Sequence, residues 1–109
     1  MIVTTTPSIP GYRIKRVLGV VTGMSVRTRG FLGRMAAGIE AIVGGASSAY
    51  VTELKKARDE ALNDLINSAR QMGANAVVGL DFETSEVLEG FIVVTATGTA
   101  VEVEPEQTG

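Results

Sequence analysis

At 109 residues the chain is one domain, expected to bury roughly two-thirds of its surface, and 45% of its residues are hydrophobic while only 5% are aromatic. It has no Cys, no Trp, no uncharged stretch longer than twelve residues and no basic-then-apolar leader in MIVTTTPSIPG. That excludes a disulfide scaffold and a membrane-spanning helix of about 20 residues, and points to the cytoplasm with no membrane partner. The net charge of −2 conceals a division. Six bases and no acid stand through Ile39 (Arg13, Lys15, Arg16, Arg27, Arg29, Arg34), and seven acids and no base follow from Asp81 (Asp81, Glu83, Glu86, Glu89, Glu102, Glu104, Glu106). The two ends can therefore meet within a subunit or across an interface.

Met1 to Thr6 is β-branched and reads as a short first strand, closed by the turn PSIPG at Pro7 to Gly11. Tyr12 to Val26 alternates as a long second strand. Tyr12, Ile14, Leu18, Val20, Met24 and Val26 form one row, interrupted by Arg16 and Thr22, and Arg13, Lys15, Gly19, Gly23 and Ser25 form the other. Glycines inside a strand mark a bulge, a bend or a close backbone neighbour. From Thr28 to Gly45, Phe31, Leu32, Met35, Ile39, Ile42 and Val43 approach helical spacing, with Gly33 and Gly38 between them. A short, imperfect helix ended by Gly44 and Gly45 is expected there.

Ser48 to Met72 is the main helix, with Ser47 or Ser48 placed to cap it. Leu54, Ala57, Ala61, Leu65, Ala69 and Met72 make one apolar stripe, whose alanines predict close approach to a sheet. Lys55 with Asp59, and Lys56 with Glu60, are four apart and can pair weakly. Gly73 ends the helix, since it takes the left-handed conformation freely, and Val77, Val78 and Leu80 begin a strand running from Asn75 to Thr84. Glu86 to Gly90 reads as a turn. Phe91 to Val103 is the last strand. Its row Ile92, Val94, Ala96, Gly98 and Ala100 shrinks along its length, as suits an alanine-striped helix lying across it. The other row carries Thr95, Thr97 and Thr99, able to pack or to line a wet interior.

These elements predict an α+β domain over residues 1–104, a small four-stranded, mainly antiparallel sheet with one long helix packed on one face, followed by a disordered tail at 105–109. The sheet's second face, rich in Val and Thr, needs another cover. A mean hydropathy of +0.24 is high for so small a chain, and self-association would supply that cover.

The absence of His as well as Cys removes the commonest nucleophile–base pairs and the usual zinc ligands. Carboxylates remain. Asp81 and Glu83, two apart on a strand, with Glu86 following, are candidates for a hard cation, as are Glu102 and Glu104. In both cases a solvated strand end is the plainer reading. Gly44–Gly45 before a helix start is an anion candidate, with an ordinary helix N-terminus the plainer alternative. The acidic chain and scarce aromatics argue against nucleic acid as a partner.

The PG at Pro10–Gly11, the IVGG at Ile42 to Gly45, Tyr50, the ARDEAL at Ala57 to Leu62, the GANAVVGL at Gly73 to Leu80, the TSE at Thr84 to Glu86 and the GTAV at Gly98 to Val101 occur together in order. On these residues the chain resembles the YbjQ family of heavy-metal-binding description. The resemblance implies a four-stranded fold that assembles into a ring, a pentamer. Where the family often has an acid after the double glycine this chain has Ala46, and where it often has Tyr before GTAV it has Thr97. The fold and the ring carry over; the metal does not. The function expected is thus a homo-oligomeric binding or scaffold protein without a catalytic site and without a certain cofactor. The alternatives are a metal or small-ligand binder using carboxylates or Thr95, Thr97 and Thr99 around the ring axis, and an enzyme with a carboxylate site at a subunit junction.

Overall fold

In the computed structural model, which describes residues 1–28, 46–88 and 91–107, four strands and one helix follow in the order β1 (Ile2–Val3), β2 (Tyr12–Thr28), α1 (Ala46–Gln71), β3 (Ala76–Leu88) and β4 (Phe91–Pro105). The sheet order is β1-β3-β4-β2. β4 pairs antiparallel with β2 and with β3, whereas β1 runs parallel to β3, so the sheet is mixed. The helix expected between Thr28 and Gly45, and the anion candidates Gly44 and Gly45, lie outside the described residues.

β1 is shorter than its β-branched run suggests, but the chain keeps following the β3 edge. Thr4 N–H donates to the Val77 carbonyl at 2.9 Å, Leu80 N–H to Thr4 at 3.0 Å and Gly79 N–H to Thr6 at 2.9 Å. α1 begins at Ala46, two residues before the expected start, which puts Ser47 and Ser48 inside the first turn rather than at the cap. It ends as the sequence predicts. Gly73 has φ +88, its N–H donates to Arg70 and that of Ala74 to Ala69, a paired closure of the last carbonyls. Just beyond, the Asn75 side chain donates to the Val103 carbonyl at 2.9 Å and accepts the Val103 N–H at 2.8 Å, so an amide side chain extends the β3–β4 ladder by one rung. The turn expected from Glu86 is displaced: β3 runs on to Leu88, and Glu86 stands opposite Ile92 in the register.

Two register shifts in β2, between Ile14 and Arg16 and between Val17 and Gly19, decide which side chains share a face. Each inserts one residue, so alternation is lost and then restored. Ile14, Val17, Val20, Thr22, Met24 and Val26 come to share a face by their partners in β4, while Arg16 moves to the opposite one. Leu18, which strict alternation puts in the first row, packs against the helix-side core instead. The glycine-bearing row of β2 is therefore the one that meets the helix. The buried core there joins Ala57, Ala61, Leu65 and Ala69 of α1 to Val21 of β2, Val77 of β3 and Val94, Ala96 and Ala100 of β4. Met72, the last member of the expected stripe, is exposed. A smaller core on the other face gathers Ala76, Val78, Val101 and Val103 under Ile2, Ile9 and Ile14.

A Cβ at position 23 would press on the Ala61 carbonyl oxygen and the Leu65 amide and lie 2.9 Å from the Leu65 Cα. All three are helix backbone and cannot swing away. Gly23→Ala should accordingly destabilise the domain by about 2 kcal/mol or more, as overpacking does. Gly73→Ala meets no neighbour within 4 Å and should cost only the backbone strain of a positive φ, about 1 kcal/mol. Urea denaturation of the two variants beside the wild type measures the difference.

Candidate functional site

The face of the sheet turned away from α1 is covered at one end by Ile9 and its neighbours and open at the other. Three rows of side chains cross that open part. On β2 stand Val20 (74% exposed), Met24 (56%) and Val26 (53%), with Thr22 among them. On β4, in register with them, stand Thr99, Thr97, Thr95 and Val93. On β3, Asp81 lies opposite Thr97, Glu83 opposite Thr95 and Ser85 opposite Val93. The face thus grades from apolar through hydroxylic to acidic across the strands. A rung such as Met24–Thr95–Glu83 samples all three.

The register brings the expected threonines and the first two carboxylates into one surface. The side chain of Glu86 lies outside the described ones. Glu102 and Glu104 do not join them: in β4 they alternate with Val101 and Val103, so they stand on the opposite face. They are also occupied. Glu104 pairs with Arg13, while Glu102 accepts from Arg16 at 2.8 Å and lies 3.6 Å from the Lys15 Nζ. The Arg16 guanidinium, with Lys15 beside it, holds the Glu102 carboxyl below its ordinary range. So the basic start and acidic end of the chain do meet, within one subunit, along the β2–β4 ladder. By contrast Asp81 and Glu83 have no basic partner within ion-pairing distance among the described residues. Among those same residues no three acidic or other metal-ligating side chains gather closely enough to hold an ion, and no described helix is long and apolar enough to cross a membrane.

A second polar cluster, not predicted from the sequence, ties α1 to the outer edge of β2. The Arg27 guanidinium forks onto Glu60 with bonds of 2.8 and 2.9 Å, and the buried Ser25 hydroxyl donates to the same carboxylate at 2.8 Å. Asp64 accepts the Met24 N–H at 2.9 Å, satisfying a backbone donor on the free edge of the strand. Glu60 is drawn to the sheet and not to Lys56, which pairs with Glu53 at 3.2 Å instead. Only the Arg27–Ser25 spacing hints at this arrangement, since the partner on α1 is 33 residues away from Arg27.

Comparison with known proteins gives a consistent picture. Residues 1–104 match the profile of a family described as "Putative heavy-metal-binding". A UPF0145 protein of Picrophilus torridus is 46% identical over 96% of this chain and 89% of its own length. One of Solibacter usitatus is 43% identical over 94% and 92%, and one of Carboxydothermus hydrogenoformans 38% identical over 97% and 99%. A crystal structure from Pediococcus pentosaceus, titled a protein with unknown function of the DUF74 family, superposes with a TM-score of 0.62 at 24% identity, covering 95% of this chain and 98% of that one. That likeness is one of fold.

The Arg27 and Ser25 hydrogen bonds hold Glu60 down to a pKa of about 2. A depressed carboxylate stabilises the fold above its unfolded pKa and loses that contribution as pH falls through the folded value. The pair is solvent-screened, so its worth is about 1 kcal/mol. Glu60→Gln should therefore be less stable than the wild type at neutral pH by about that amount, with the gap closing between pH 4.5 and about 2. Denaturant midpoints measured at several pH values test the sign.

Proposed function

The chain belongs to the YbjQ family, and from that premise we propose that it works by self-assembly, as a homo-oligomeric binding or scaffold protein whose subunits close into a ring of five in the cytoplasm. The observation that supports this reading is the row Val20, Met24 and Val26, each more than half exposed on a sheet face that α1 does not reach. Phe91 at the start of β4 is 41% exposed as well. A contiguous apolar surface of this kind on a soluble domain is the mark of a partner, and a second copy is a partner always present. The acidic row of β3 then stays wet. No catalytic role is proposed.

The donor set does not fit a soft heavy metal. Such ions favour thiolate and imidazole, and the chain has neither Cys nor His. Oxygen donors are present, and one observation favours a second reading: Asp81 and Glu83 share an open face with Thr95 and Thr97 and have no cationic partner among the described residues. Repeated around a ring axis, that row offers a hard cation the several oxygen ligands that one subunit lacks.

Native mass spectrometry of untagged protein at micromolar concentration tests the assembly. The wild type should run as a pentamer, and Met24→Lys, which sets a charge into the apolar row without touching the core, should shift the population to monomer. A wild type that is monomeric under these conditions would overturn the proposal. Addition of calcium or magnesium to the same samples reads out the second one, and an unchanged mass would refute it.

A further inference from the structure

A different surface, on the helix side of the sheet, carries an inference that does not depend on assembly. α1 lies over β2 and β4, so on β3 the side chains beyond Val77 are only partly covered: Leu80 and Phe82 border the core without entering it. Between that margin and the flank of α1 runs a groove of about 480 Å³, lined by Thr5, Lys55, Arg58, Asp59, Leu62 and Phe82. This is within the range of roughly 300–1,000 Å³ usual for small-molecule sites.

The lining has a definite chemistry. Leu62 and Phe82 are half-buried and make an apolar floor. The Arg58 guanidinium carbon stands 4.5 Å from the centroid of the Phe82 ring, a cation held against an aromatic face. Lys55, one turn earlier, lies on the same flank. Among the described residues neither base has an acidic partner within ion-pairing distance, and Asp59 has no basic one. The groove therefore presents two unpaired cations and one carboxylate above an apolar floor, a net positive rim. Cations left unpaired beside an aromatic ring suit a ligand that is flat and apolar in body and anionic at one end. Thr5, which also lines the groove, adds a hydroxyl-bearing side chain to the set.

We infer that this groove binds aromatic carboxylates, the ring seated on Leu62 beside the Arg58–Phe82 stack and the carboxylate turned to Lys55 and Arg58. The 109-residue chain, labelled with ¹⁵N, can be titrated with 2-naphthoate and followed by its amide shifts. Saturable shifts at Thr5, Arg58 and Phe82 are expected, with a Kd of about a millimolar or tighter for a ligand this small. Arg58→Gln and Lys55→Gln, both at exposed positions and so expected to fold, should each weaken binding by about three- to tenfold. The neutral 2-naphthalenemethanol should bind more weakly than the carboxylate by a similar factor. The proposal is overturned if no saturable shift occurs, if the shifts fall instead at Val20, Met24 and Val26, or if the neutral compound binds as tightly. A ring that fails to form would not affect this outcome, because the groove and the open sheet face are on opposite sides of the sheet.

Discussion

The rest of the structure depends on how closely the helix backbone approaches β2. At Gly23 there is no room for a side chain between the strand and the Ala61–Leu65 turn of α1. The same economy holds around it: Ala57, Ala61 and Ala69 on the helix face Ala96 and Ala100 on β4, and Leu65 is the largest side chain fully buried on α1. A core of small residues brings the two layers together tightly but buries little apolar area for each residue it uses. Apart from Leu18 and Val21, the larger aliphatic side chains of β2 point the other way. That division is unusual for a two-layer α+β domain, where the bulk would be expected between helix and sheet. It leaves the row Val20, Met24 and Val26 exposed on a face that α1 does not cover.

Much of this fold is legible in local pattern. The shrinking row from Val94 to Ala100, the alanine stripe from Ala57 to Ala69 and the helix stop at Gly73 each follow from residue size or backbone freedom at that position, and each is found in its expected place. What was not legible is non-local. The two bulges of β2 are signalled only by Gly19, yet they send Leu18 to the helix side and Arg16 away from the apolar row, because a single inserted residue reverses every side chain until the next one. The fork of Arg27 onto Glu60 competes successfully with an i,i+4 pair to Lys56, since a bidentate guanidinium backed by the Ser25 hydroxyl outweighs a lone exposed ammonium. β1 likewise runs parallel to β3 at the far edge from β2, so the chain crosses between the two edges through Ile9, a crossover that no period in the sequence encodes.

The candidate site was legible in part for the same reason. Thr95, Thr97 and Thr99 fall on one row by alternation alone, and Asp81 with Glu83 by the same rule. Whether the two rows share a face is a matter of register, and here the antiparallel pairing of β3 with β4 sets them opposite one another. Glu102 and Glu104 look equivalent to that pair as text. In the fold they are consumed by Arg13 and Arg16, which sit opposite them on the paired strand, with Lys15 at the bulge beside Glu102.

The grading of the open face, apolar on β2, hydroxylic on β4 and acidic on β3, constrains any assembly that uses it. A partner that covered all three rows evenly would have to desolvate Asp81 and Glu83, and an unpaired carboxylate in an apolar interface costs more than the neighbouring valines return. Any such contact would therefore concentrate on β2 and fade across β4, leaving β3 in water. In a closed ring each subunit would meet its two neighbours through two different surfaces related by one rotation, so with the β2 row as one of them the acidic side of every copy would turn to the same solvent space. Carboxylates that, among the described residues of one chain, do not gather closely enough to hold an ion would become a repeated set by that symmetry alone. Their mutual repulsion would then be relieved by a cation or by distance from the axis, and the radius at which β3 sits decides between the two.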